Sequence, residues 1–149
     1  MTHDDLITTL NHLIKTCKDG EEGFRTCSEH VQGESLKSLF ASRAANCAIS
    51  VRELQDLVRA KGGHPVDASS LSGTLHRGWI DVKAALTHQD DHALLVECER
   101  GEDLAVKNYT DALKKDLPVD IKSIVERQYH GVLQNHGAIK QLRDSTPAH

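Results

Sequence analysis

From Asp4 to Val31 the chain reads DDLITTLNHLIKTCKDGEEGFRTCSEHV. Apolar or small residues recur in it at Leu6, Leu10, Leu13, Cys17, Gly20, Phe24, Cys27 and Val31, in steps that alternate four and three. That spacing is one stripe of an α-helix, and it predicts a long helix over about 4–31 with a packed face. Thr2 and Asp5 have the spacing of a capping box, with Asp in place of the commoner Glu or Gln. Gly33 is placed to supply a left-handed residue that ends the helix.

The same periodicity continues outward. A second helix is predicted over about 35–61, with Leu36, Phe40, Arg43, Cys47, Ser50, Leu54 and Leu57 on one seam. Gly62-Gly63-His64-Pro65 stops it. A shorter helix is expected at about 71–87, carrying Leu75, Trp79, Val82 and Leu86. Asp90 and Asp91 read as the cap of a helix over about 92–115, striped by Leu95, Cys98, Glu102, Ala105, Tyr109 and Ala112. Asp116-Leu117-Pro118 breaks that helix, and Pro118 suits the first turn of a last one over about 119–143. Its stripe is Ile121, Val125, Gln128, Val132, Asn135, Ile139 and Leu142.

The expected fold is all-α, a single helical-bundle domain of four long helices with an additional shorter helix between the second and third. Only a few residues separate the first two helices, so they should pack antiparallel. A helix of ~27 residues is ~40 Å long. The connection at 62–90 can cover that distance, which allows the second and third long helices to run parallel. A plain five-helix up-and-down arrangement is the alternative. Gly20, Gly23, Gly78, Gly101, Gly131 and Gly137 fall inside predicted helices, at ~1 kcal/mol each against Ala. Close helix approach is the leading explanation for them, and room for a ligand is the other.

Composition narrows the function classes. Aromatic residues make up 3% of the chain, which disfavours a sheet-rich fold. Lys and Arg total 18 against 22 Asp and Glu, so a nucleic-acid partner, which needs a concentrated basic face, is not expected. No apolar run approaches the ~20 residues of a membrane span, and the acidic amino terminus is unlike a signal peptide, so a cytoplasmic protein is expected.

Cys17 through Phe24, Leu75 through Trp79, Glu97 through Asp103, Gln128 through His136 and Gln141 through Asp144 carry a family likeness. In these stretches the chain resembles an uncharacterised bacterial four-helix-bundle family, a domain of unknown function grouped with the ferritin-like proteins. The resemblance spans nearly the whole chain. It implies a ferritin-like bundle and brings no settled activity.

Ferritin-like di-iron proteins take one Glu from each of two helices and a Glu-x-x-His pair from each of the other two. None of the nine glutamates here has a His three residues later. An altered site is still conceivable, because folding the helices on their loops levels Glu21, Asn46, Glu102 and Gln128 in one polar layer, with Cys47 near it. Oxygen-rich layers suit hard cations, and His136 adds a nitrogen near Cys98. The candidate metal ligands are therefore Glu21, Glu102, Gln128 and His136, for iron or another divalent metal. The competing reading is structural. Arg43 also sits on the seam and would need Glu97 or Glu102 beside it, which makes Arg43, Asn46 and Glu97 parts of a polar core without chemistry.

Cys17, Cys27, Cys47 and Cys98 lie on the seams without a Cys-x-x-Cys spacing, so buried thiols are expected in preference to a zinc site. Ile7, Ile14, Ala44, Val51 and Val58 fall off the main seams and could serve a homo-oligomer. The leading expectation is a non-catalytic cytoplasmic bundle acting through protein interaction, in stress by analogy with the usual employment of ferritin-like proteins. The alternative is a di-metal carboxylate protein with oxidoreductase-type activity.

Overall fold

The computed structural model describes residues 1–66 and 91–146. Among these the chain forms helices α1 (His3–His30), α2 (Glu34–Ala60), α3 (Asp91–Leu113) and α4 (Val119–Ser145), and no strand. The shorter helix expected at 71–87, with Trp79, lies outside the described residues. No helix among the described residues is long and apolar enough to cross a membrane.

Local chemistry accounts for the helix ends. Thr2 Oγ1 accepts a hydrogen bond from the Asp5 amide at 3.1 Å, which satisfies one of the free N–H groups at the start of α1. Gly62, with φ 78°, takes the left-handed conformation just past α2. Gly33 does not behave as expected. It is extended, with φ −73° and ψ 131°, and serves as the N-cap of α2, while α1 has already ended at His30. Pro118 sits one position before α4 as its N-cap, not within the first turn.

Cross-helix contacts fix the directions. Ser28 Oγ donates to the Lys37 carbonyl at 3.1 Å, as a tight antiparallel α1–α2 pair requires. On the other side of α1, Asn108 Nδ2 donates to Thr16 Oγ1 at 2.9 Å and the Cys27 and Cys98 sulfurs lie 3.6 Å apart. Residue numbers rise on α1 as they fall on α3, so these two are antiparallel as well. Hence α2 and α3 run parallel, joined by the long connection. Glu102 with Asn135 and Tyr109 with Gln128 align α3 and α4 antiparallel. The α1–α2 packing is the most extensive, and α2 packs against α4 much less than α3 does.

The α1 stripe is buried along its whole length, from Leu6 to Val31. Completely burying a leucine such as Leu10 or Leu13 stabilises by about 1.5–3 kcal/mol. The interior divides into two apolar clusters. One gathers Leu10, Leu13, Ile14, Leu54, Tyr109, Ile121 and Val125. The other gathers Phe24, Cys27, Phe40, Leu94, Leu95, Cys98 and Ile139. Ile14, Val51 and Val58 are core residues, and Ile7 and Ala44 pack against the core. Those five are thus occupied within the chain.

The helical glycines split into two kinds. A Cβ on Gly20 would lie 3.1 Å from Cys47 Sγ, so α1 and α2 approach closely there. A Cβ on Gly131 or Gly137 would meet nothing within 4 Å. Gly131→Ala should therefore stabilise by about 0.5–1 kcal/mol. Gly20→Ala should not, and Cys47→Ala should restore the gain in that background. Urea midpoints at unchanged slope check the set. Equal gains at Gly20 and Gly131 would show that α1 and α2 are not in close contact.

Candidate functional site at the bundle waist

Between the two apolar clusters lies a polar waist. Arg43 of α2 brings Nη2 to 3.9 Å from Glu102 Oε1 of α3, and Asn135 Nδ2 of α4 donates to the same oxygen at 2.9 Å. The Arg43 guanidinium also stands 6.0 Å from the centre of the Phe24 ring, within reach of a cation–π attraction. Arg43 Nε, Glu102 Oε2 and Asn135 Oδ1 are buried without a hydrogen-bond partner among the described residues. A cavity of about 20 Å³ beside Arg43, Glu102 and Cys17 has room for one water-sized group. Burial pushes the Glu102 carboxyl above its ordinary value, against the opposing pull of Arg43 and the Asn135 amide. The pair is therefore loose, with a fixed positive charge facing a carboxyl that resists ionising.

A second feature joins the waist to the surface. Tyr109 Oη donates to Gln128 Oε1 at 2.8 Å and lies 3.0 Å from Cys17 Sγ. Gln128 Nε2 donates to Glu53 Oε1 at 3.1 Å, and Arg127 Nη2 reaches Glu53 Oε2 at 2.5 Å. The partial burial of Glu53 opposes its ionisation, yet these two donors hold its carboxyl below the ordinary range. The chain of bonds runs along a half-open groove of about 190 Å³ between α2 and α4, lined also by Arg43, Cys47 and Gly131.

The residues expected to bind metal do not converge. Glu21 pairs with Lys18 at 3.1 Å, and Lys18 also reaches Glu22, at 3.3 Å. Glu102 belongs to the waist and Gln128 to the groove. His136 Nε2 lies 2.5 Å from Asp103 Oδ1 and 4.0 Å from Glu99 Oε1, on the outer α3–α4 seam. Glu99 is held by Arg143 through its other oxygen. Within the expected polar core, Arg43 selects Glu102, while Glu97 pairs with Arg100 at 2.9 Å. Asn46 is exposed, and not an interior residue: among the described residues it sits at the edge of the groove.

Among the described residues, Glu99, Asp103 and His136 form the one trio able to offer a cation three atoms within 4.8 Å of one another. Of these only His136 stood out in the sequence. Glu99 and Asp103 resemble any solvated acidic run until α4 is laid against them. Asn135 carried a visible signal, a polar residue on an apolar stripe. Glu53 carried none, since it lies off the seam.

The thiols are set for packing. Burial raises the Cys17 pKa to about 12 despite the Tyr109 contact, and it lifts Cys47 and Cys98 well above the ordinary thiol range. A thiol held protonated is a poor nucleophile and a poor ligand.

Against this geometry, the family described as domain of unknown function DUF2383 matches residues 5–115. The chain belongs to this family. The matched stretch takes in α2, α3 and all but the first two residues of α1, so Arg43 and Glu102 lie within it, while Gln128, Asn135 and His136 of α4 lie beyond. No curated protein matches the chain. Membership in the DUF2383 family brings no assigned chemistry, so the side chains of the waist carry the functional argument.

Two outcomes follow from the waist of this DUF2383 chain. Arg43→Met should cost less than about 2 kcal/mol and Glu102→Leu about 3 kcal/mol or more, because a solitary Glu102 can take up a proton whereas Arg43 cannot lose one. Equal costs in urea unfolding at neutral pH would place Arg43 in solvent. The second outcome concerns pH. With the folded pKa of Glu102 raised above its ordinary 4.5, its contribution is complete below that value and is lost as pH rises through the folded pKa. The stability of Glu102→Gln relative to the parent should therefore grow from acid towards neutral pH. Parallel pH profiles would show an unshifted carboxyl.

Proposed function

We propose that the protein is a ferritin-like bundle that works by binding, without catalysis, in the cytoplasm. The parallel sense of α2 and α3, with one long connection, is an arrangement that ferritin-like bundles use. The single observation that carries the non-catalytic reading is Arg43 beside Glu102. A di-metal carboxylate centre needs converging carboxylates at this height, and a permanently charged guanidinium repels the cations it would hold. Glu21, Gln128 and His136 are each bonded elsewhere, so the residues present do not fit an interior di-metal group. A stress-related role with a protein partner remains part of this proposal by analogy alone.

One specific observation favours a second reading, a single divalent cation on the α3–α4 seam at Glu99, Asp103 and His136. A histidine and two carboxylates suit zinc or another first-row metal, and Arg143 would orient Glu99 as an outer partner. Metal analysis of protein purified without chelator separates the readings. The first expects no stoichiometric iron, manganese or zinc in the parent, and none retained after addition and gel filtration. One equivalent that disappears in His136→Ala and survives in Glu102→Gln would establish the surface cation instead. Metal lost in Glu102→Gln would overturn the non-catalytic reading of the waist.

A further inference from the structure

The α2–α4 groove is a half-open gap with a polar floor. About 190 Å³ stays open between these two helices, room for several water-sized groups. Gly131 contributes to the opening, since a side chain there would project into free space. The volume is below the usual range of drug-sized pockets, so its occupant must be small.

Charge then selects among small molecules. Both oxygens of Glu53, the acidic group of the groove, already accept bonds from Gln128 and Arg127. Arg127 itself stays 61% exposed at the rim, where its charge can meet an incoming group. Arg43, also in the lining, has among the described residues one ion-pair contact, to Glu102 at the long distance of 3.9 Å. Its buried Nε has no acceptor among the described residues, so the guanidinium is not held by a full set of partners. The positive charge is therefore under-compensated, while Ile49 and Val132 add apolar wall. A guanidinium fork matches a planar carboxylate, and a dianion would meet Glu53 at close range.

We propose that this groove binds a small monocarboxylate, with its charge towards Arg43 and its apolar part against Val132 and the open side of Gly131. The inference deepens the binding reading above. The metal analysis and the ligand test below use separate readouts, so either can fail alone.

The test is an amide chemical-shift titration of the intact chain with sodium benzoate, alongside benzyl alcohol and inorganic phosphate. Benzoate should move the signals of groove residues such as Ser50 and Gly131 along a saturating curve. Benzyl alcohol and phosphate should bind at least about tenfold more weakly, the loss expected when one charge-assisted contact is missing or mismatched. Arg43→Met should abolish the response. Gly131→Leu fills the mouth while favouring helix, so it should weaken benzoate about tenfold or more with the melting temperature unchanged or raised. No saturation by about 10 mM would overturn the proposal. So would benzyl alcohol or phosphate binding as tightly as benzoate, or benzoate shifts that persist in folded Gly131→Leu.

Discussion

A guanidinium placed inside a helical bundle cannot shed its charge, and much of this interior is arranged around that constraint. Arg43 divides the core into two apolar clusters and draws Glu102 and Asn135 from two other helices to its level. Three helices are thereby held in one register, because sliding any of them by a turn would leave a buried charge or amide without company. Apolar stripes alone specify register weakly, since one leucine layer resembles the next. The polar waist supplies the distinction.

The same waist explains why the α2–α4 side stays open. Arg43 and Ser50 occupy positions on the inner seam of α2 where apolar residues would close the gap to α4. Gly131 withholds a side chain from the facing helix. The helices are bridged there by Glu53 with Arg127 and Gln128, and by Lys61 with Asp120 at 3.5 Å. Pairs this exposed add little stability. The groove is thus the thin wall of the bundle, held by hydrogen bonds where the other walls are held by burial.

Which parts of this were legible in the sequence follows from which physics is local. The α1 stripe repeats cleanly, and every residue assigned to it is buried. On α2 the pattern was blurred by small residues, and the burial falls to Val51 and Val58 as well as to Phe40 and Leu54. The level of Glu21 with the Cys47 region was legible because a short loop leaves α1 and α2 little freedom, and Gly20 does meet Cys47. The α3–α4 level is where the expectation fails. It sets Gln128 in one layer with Glu102, whereas Asn135, about two turns further along α4, is the residue that bonds Glu102. Periodicity reports which face turns inward but says nothing about axial offset, which the path through Asp116, Leu117 and Pro118 decides. Pairings such as Glu53 with Gln128 depend on that offset and on groups off the seam, so no stripe could reveal them.

The groove also shows how a surface ion pair can dictate hydrogen-bond polarity deep inside. Arg127 is a donor only, and it engages one oxygen of Glu53. The remaining oxygen can only accept, so the Gln128 amide must present its nitrogen to Glu53 and its oxygen to Tyr109. The tyrosine hydroxyl then has to donate outward, which leaves its lone pairs for the Cys17 S–H at 3.0 Å. Each step removes one choice of orientation. A thiol raised to about 12 by burial is a donor at every physiological pH, so the chain ends on a group that meets the requirement. Reversing the Gln128 amide would set its oxygen against a carboxylate and its nitrogen against a hydroxyl that then needs a new acceptor. The cost of those unmet bonds, about 1–3 kcal/mol each, holds the groove floor in a single pattern.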